Sequence, residues 1–411
     1  MGEARTSVRS RMGAMPTSMW ITITVGLLCT IGLFMVGSAS SVISMSYYGS
    51  PWSIFAKEVL WVVVGAVVFF FAARTDYHRW GKIAPLAMAA TMVLLLVVMI
   101  PGVGSASGGS TRWIGVGPFV LQPSELMKLV LAIFGANLIA RRQERSTSLR
   151  FTIFPVVIVT LAAAGLVLAQ PDLGTAFVLI VIMMTLAVSA GIPGRTVLKS
   201  LLLIGAAVAI AALAMPYRRD RLLSFINPGS KSSEGGYQVV QSLIGMGSGG
   251  VGGLGLGHSH EKWGLLPNAH TDFIFSVIGE ELGILGAFVV VVLVGVLALK
   301  GWRAAEQAPD RFGMLLAAAL VAWISSEAVI NIGAVLGIVP VTGIPLPFVS
   351  YGGTSMVITL AAAGILVNIA RQEKPVRASS SSRESATRSS GRPSPRRPAT
   401  GGAARRPART T

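Results

Sequence analysis

Charge is scarce in this chain: Asp, Glu, Lys and Arg make up 12% of its 411 residues, whereas 53% are hydrophobic. A soluble protein of this size carries charge throughout its length, so that class is excluded. Cysteine is nearly absent. The single Cys29 rules out an intrachain disulfide in any compartment and, lying inside the first apolar run, reads as a small apolar helix residue. The four histidines, His78, His258, His260 and His270, are too scattered to give a zinc-type ligand spacing. Neither a Walker loop nor a GxSxG nucleophile elbow occurs, so ATP-driven transport and serine hydrolysis have no support. Gly245-Met-Gly-Ser-Gly-Gly250 spells out GxGxxG, but that pattern has meaning only between a strand and a helix of a βαβ unit. Here it reads as flexible glycine-rich loop able to approach a ligand.

What the chain does have is apolar runs of about 18 to 25 residues, the length that crosses a bilayer core of roughly 30 Å. The pattern predicts an all-α integral membrane protein with about ten transmembrane helices, at 18–38, 54–73, 82–101, 123–140, 151–169, 173–190, 197–215, 273–299, 313–335 and 350–370. Arg5, Arg9 and Arg11 ahead of the first run imitate a signal peptide, but the run from Met19 to Val36 is long for one and reads as a retained span. Basic clusters at Arg74/Arg79/Lys82, Arg141/Arg142/Arg145/Arg150, Arg195/Lys199 and Lys300/Arg303/Arg311 fall on one side, with both termini. The positive-inside rule makes that side cytoplasmic. Three parts follow: a cytoplasmic segment 1–17, a polytopic domain 18–371 with one long extracytoplasmic loop at 216–272 between spans 7 and 8, and a tail 372–411. From Arg371 onward there are eleven basic and two acidic residues, net +9 of the chain's +17, with no apolar face, so the tail is predicted to be disordered. A basic juxtamembrane segment suits anionic lipid. Nothing else in the chain supports a nucleic-acid partner.

The candidate chemistry lies on the outer side. In LPNAHTDFIFSVIGEELG, residues 266–283, His270 and Asp272 stand at the lip of an apolar helix, and Glu280 and Glu281 lie two turns further in, where ionised groups are costly. If Asp272 opens the eighth span, Ser276, Gly279, Gly283 and Gly286 share its face, a stripe small enough for a neighbouring helix to approach. The two glutamates point elsewhere and serve different neighbours. An N-cap role for Asp272 is the plainer reading, and both stay open. Gln122-Pro-Ser-Glu-Leu-Met-Lys128 opens the fourth span, with Glu125 and Lys128 on one helical face. Lys128 and Arg112 read either as ordinary interfacial cations or as a phosphate site at headgroup depth. Asp172 repeats the arrangement at the start of the sixth span, and Gln241 and Lys262 add polar groups from the long loop. Pro345, Pro347, Gly352 and Gly353 break the chain before the tenth span, as loop punctuation or as a cavity wall.

Together, Gly32-Leu-Phe-Met-Val-Gly-Ser-Ala-Ser40, Arg112-Trp-Ile114, Gln122-Pro-Ser-Glu125, Gln170-Pro-Asp-Leu-Gly-Thr-Ala176, Leu266-Pro-Asn-Ala-His-Thr-Asp-Phe-Ile-Phe275, Gly279-Glu-Glu-Leu-Gly283 and Pro345-Leu-Pro-Phe-Val-Ser-Tyr-Gly-Gly353 resemble the SEDS family (shape, elongation, division and sporulation). The resemblance covers residues 18–371 in order. It implies a ten-span glycosyltransferase that polymerises lipid II on the outer face of the bacterial cytoplasmic membrane, together with a class B penicillin-binding transpeptidase and other division proteins. Ile100-Pro-Gly-Val-Gly104 is closer to the division branch than to the elongation branch, which implies a place at the septum. The family's essential aspartate falls on Asp272. Arg112, Glu125, Lys128, Asp172, Gln241, Lys262 and His270 are then candidates for substrate binding. No metal ligands are assigned, although Mg2+ or Mn2+ could share the neutralisation of a diphosphate. Asn268 stands where the family commonly has Glu, so that carboxylate's role does not carry over. Two other classes remain: a lipid II flippase, for which polar groups should run through the full membrane depth, and a non-catalytic scaffold, for which Asp272 would be replaceable.

Overall fold

A computed structural model describes residues 15–102, 104–107, 110–116, 119–143, 149–196, 199, 202 and 234–373. The expected seventh span, apart from two isolated residues, and the basic tail after Glu373 lie outside these. The described elements are α1 (Thr17–Tyr48), α2 (Ser53–Arg74), α3 (Tyr77–Val97), β1 (Gly104–Ser107), β2 (Ser110–Val116), β3 (Phe119–Leu121), α4 (Pro123–Gln143), α5 (Leu149–Ala169), α6 (Leu173–Ser189), α7 (Glu234–Gly249), α8 (Ile274–Glu281), α9 (Gly283–Glu306), α10 (Arg311–Val335) and α11 (Gly353–Arg371). Eight of these helices are long and apolar enough to cross a membrane, and α6 is a shorter apolar helix. The helical multi-pass architecture agrees with the hydropathy reading.

Burial separates inner from outer helices. In α4, 83% of the most apolar window is buried, against 17% in α2 and in α9. The least hydrophobic span is thus the innermost, because Glu125, Lys128 and Asn137 find partners only inside protein. Glycine allows the closest helix contacts: a side chain at Gly364 on α11 would meet Phe69 O at 2.6 Å and Ala72 at 2.8 Å on α2. The first span is an integral part of the bundle. Gly32 on α1 lies against the backbone of Phe348 and Val349, and Ser38 Oγ donates to Glu281 Oε1 at 2.6 Å. At the basic end, Asp310 caps α10 by accepting from Gly313 N at 2.9 Å, and also accepts from Tyr77 Oη at 2.7 Å, which ties two connections together.

Three features correct the sequence expectation. The connection before α4 carries a small antiparallel sheet of order β1-β2-β3, with Ile114 opposite Gly104 on one side and Leu121 on the other. The long outer loop contains a helix, α7, so Gly245 to Gly249 are helical, not flexible loop. The eighth span is broken: Gly283 has φ +68, which ends α8 and starts α9 in a new direction.

A corner inside a membrane helix leaves backbone groups without partners. The glycine-rich segment after α7 supplies them. Leu254 N and Gly255 N donate to the carbonyls of Glu280 and Glu281 at 2.9 and 3.0 Å, while Ile284 N and Leu285 N donate to Gly250 O and Val251 O at 3.0 and 3.3 Å. The glycines here let backbone approach backbone. A side chain on Gly283 would overlap Gly253 N and Val251 O. Gly283→Ala should therefore cost about 2 kcal/mol or more, adding that collision to the usual penalty of about 1–2 kcal/mol for a left-handed residue. Thermal unfolding in detergent measures the loss, and an unchanged midpoint would mean that the helix runs straight.

Candidate active site

Asp272 lies in a turn outside any helix. The N-cap of α8 is Phe273, whose side chain makes no cap bond, so Asp272 stands one residue outside the cap and off the helix that carries Ser276. Asn268 builds this turn. It adopts φ +60, a conformation that Asn tolerates better than Glu, and its carbonyl accepts from Thr271 N and Phe273 N at 3.1 and 3.3 Å. The small stripe has its own partner: Ser276 Oγ donates to Ser242 O on α7 at 2.9 Å, and Gly279 faces Met246.

The wall beside Asp272 is the irregular segment before α11. A Cβ built on Gly343, which has φ +74, would lie 3.6 Å from Asp272 Oδ2. Asn331 Nδ2, from α10, donates to the carbonyls of Asp272 at 2.7 Å and Ile344 at 2.8 Å. Tyr351 N donates to His270 O at 3.0 Å, and the two rings lie 5.6 Å apart. Of the expected substrate-binding residues, His270 is the one this turn places beside Asp272. Asn331 and Gly343 escaped the sequence reading, because neither residue type stands out in an apolar or glycine-rich run.

Burial pushes the His270 imidazole down to about 4, and its Nδ1 is buried without a partner. The folded state thus takes up this proton later than the unfolded chain, whose ordinary value is 6.5. The stability held by neutral His270 is complete above the unfolded value and is lost as pH falls towards 4. Glu261 runs the other way: burial and the nearby Glu280 charge raise it to about 7. Comparing His270→Gln with wild type isolates the histidine. The variant's melting temperature should fall less between pH 7 and pH 5, and parallel curves would contradict the burial of the ring.

Most of the remaining candidates have polar partners of their own. Lys128 does not snorkel. Its ammonium is buried, lies 2.7 Å from Glu125 Oε2, pairs closely with Glu327 on α10, and sits 5.3 Å from the Trp323 ring centre. The ammonium expected at headgroup depth is thus enclosed by Glu125, Glu327 and the Trp323 ring. Asp172 is the N-cap of α6, accepting from Thr175 N at 3.1 Å and Thr175 Oγ1 at 2.9 Å. Arg112, half-buried on β2, donates from Nε to Gln170 O at 3.0 Å and from Nη2 to Pro171 O, clamping the sheet to the end of α5. Lys262 is buried in the 3-10 turn Glu261–Trp263, where it donates to Gly257 O. Gln241 is half-buried on α7. Glu280 accepts from His260 N at 2.8 Å and from Ser259 Oγ, while Glu281 accepts from Ser38 and from Ser259 N at 3.3 Å. The two glutamates answer the cost of their burial by holding the 253–261 segment and α1. Among the described residues, no three His, Cys, Asp or Glu side chains could share a metal ion.

An apolar helical bundle with a partly exposed carboxylate at one rim, walled by irregular backbone that only protein could shelter, defines a multi-pass membrane protein with a polar site at one end of its helices. The family model for the FtsW, RodA and SpoVE cell cycle proteins matches residues 18–375, and the chain belongs to that family. It is 43% identical over 370 residues to the probable peptidoglycan glycosyltransferase FtsW of Mycobacterium tuberculosis, covering 90% of this chain and 71% of that protein. Stage V sporulation protein E of Bacillus subtilis is 39% identical over 361 residues, covering 87% and 98%. Among solved structures, a chain of a peptidoglycan synthase complex that coordinates polymerization and crosslinking superposes with a TM-score of 0.72 at 27% identity, over 85% of this chain and 96% of that one. The rod shape determining protein RodA of Thermus thermophilus gives 0.63 at 25% identity, over 86% and 97%.

Proposed function

We propose that this chain is a peptidoglycan glycosyltransferase of the division branch, polymerising lipid II at the outer face of the cytoplasmic membrane with Asp272 as general base. The observation that carries the reading is Asp272, partly exposed with its carboxylate beside Gly343 at the rim of the bundle. In the reaction a hydroxyl of one lipid-linked disaccharide attacks the anomeric carbon of another. Asp272 takes the hydroxyl proton as the new C–O bond forms, and undecaprenyl diphosphate leaves with the electron pair of the broken bond, with inversion. A positioned base of this kind contributes about 10²–10⁴-fold. Headgroup depth suits the task, because the diphosphate stays at the membrane surface while the sugars project outward. Arg112 would reach the leaving group only by giving up its carbonyl partners. A divalent cation, if used, would be held mainly by the diphosphate itself.

The partner that fits this activity is a class B penicillin-binding transpeptidase, which crosslinks the strands as they form, with other division proteins at the septum. The test is to incubate purified full-length protein with labelled lipid II, with and without the transpeptidase, and to separate the products on a gel. Ladders of glycan are expected. Translocation of lipid II across vesicles with no polymer would favour a flippase instead.

A further inference from the structure

Asn331 is a buried amide on α10, far in sequence from the turn it touches. Its Nδ2 donates to two carbonyls at once, Asp272 O at 2.7 Å and Ile344 O at 2.8 Å. Both neighbours are acceptors, so the amide nitrogen must face them, and the orientation of the side chain follows from its surroundings. The two carbonyls belong to two segments beside the catalytic carboxylate: one is Asp272's own, and the other directly follows Gly343, where a Cβ would lie 3.6 Å from Asp272 Oδ2. One side chain therefore sets the distance between the base and its wall. Its footing is rigid. Glu327 stands one turn earlier on the same helix and is tied to Lys128 and, through it, to Glu125 on α4.

We infer that Asn331 is a positioning residue for glycosyl transfer, holding the Asp272 turn and the Gly343–Ile344 segment in register so that the carboxylate meets the attacking hydroxyl. The inference rests on the proposed glycosyltransferase activity. Asn331 does not touch the reacting atoms, and its effect passes through the backbone of Asp272. Asn331→Leu keeps the approximate size and removes both donated bonds, releasing two carbonyls in a buried place. Asn331→Ser keeps one shorter donor.

The experiment is a steady-state polymerisation assay with full-length protein and labelled lipid II, normalised to folded protein by size-exclusion chromatography and read across a pH series. For Asn331→Leu, kcat should fall by about 100-fold, the loss expected when a catalytic group moves by about 1 Å, with KM for lipid II nearly unchanged. The serine variant should recover part of kcat and supplies the answer if the leucine variant does not fold. The acid limb of the pH profile, which reports the base, should shift in both variants. A variant that is merely less well folded would scale the whole profile without moving that limb, and this result would overturn the inference. So would wild-type kcat in Asn331→Leu or in Asn331→Ser while Asp272→Asn is inactive, an outcome that leaves the glycosyltransferase reading standing. Absence of polymer from wild type itself would remove both.

Discussion

Asp272→Asn should produce no detectable glycan polymer while remaining a folded, membrane-inserted protein. The expected loss is about 10²–10⁴-fold, the range for removing a general base. The structure explains why the fold should survive. Asn331 holds Asp272 by its backbone carbonyl, which the substitution leaves in place, and the turn is closed by Asn268 and Thr271. The carboxamide has nearly the same size and still fits beside Gly343, but it cannot take up the hydroxyl proton. Asp272→Glu should also be poor, because an added methylene moves the carboxylate by about 1 Å, worth up to about 10²-fold. The measurement is polymer length and yield from labelled lipid II, with gel filtration and partner binding as controls for folding. Near-normal polymerisation by the asparagine variant would make Asp272 a structural turn residue.

Lys128→Met should destabilise the protein by about 3–5 kcal/mol, the usual cost of removing one partner from a buried ion pair. The ammonium lies between Glu125 and Glu327, and all three groups are buried. Without it, two carboxylates face each other in a medium of low dielectric. The control is the combined change Lys128→Met, Glu125→Gln and Glu327→Gln, which removes the charges together and should recover much of the loss. Thermal unfolding of purified protein in detergent distinguishes the cases. If the single variant melts with wild type, the ion triad does not form, and Lys128 returns to the interfacial role that its place in the sequence first suggested.

The spans were legible because a bilayer imposes a length and a hydropathy on any helix that crosses it, and most expected boundaries fall within a few residues of those observed. The Gly283 corner was not legible, because glycine inside an apolar run also serves straight helices at close contacts. The sheet was not legible because β1 and β3 are only four and three residues long, too short to show an alternating pattern, and β2 therefore had no visible partner. Asp272 was legible through the motif around it, but its neighbours were not: Asn331 lies 59 residues away, and Glu327 reaches Lys128 across 199. A local pattern carries no information about such pairings. Asp172, Lys262 and Lys128 were singled out for charge near the outer surface. The structure places each in an internal hydrogen bond or ion pair, which is how a membrane protein accommodates most of its buried polar groups.

The corner at Gly283 also joins two mechanical demands. A transmembrane helix answers to bilayer thickness by tilting or by stretching its surroundings. α9 carries that demand, with most of its surface turned outward. α8 and the Asp272 turn are attached to Ser38 on α1, Asn331 on α10 and the 253–261 segment, and the residues just before that segment, Gly250 and Val251, hold the first turn of α9. Hydrophobic mismatch that tilts α9 therefore reaches the carboxylate through the backbone bonds that span the corner and through α1 and α10, on which α9 also packs, so bilayer thickness should shift the depth of Asp272.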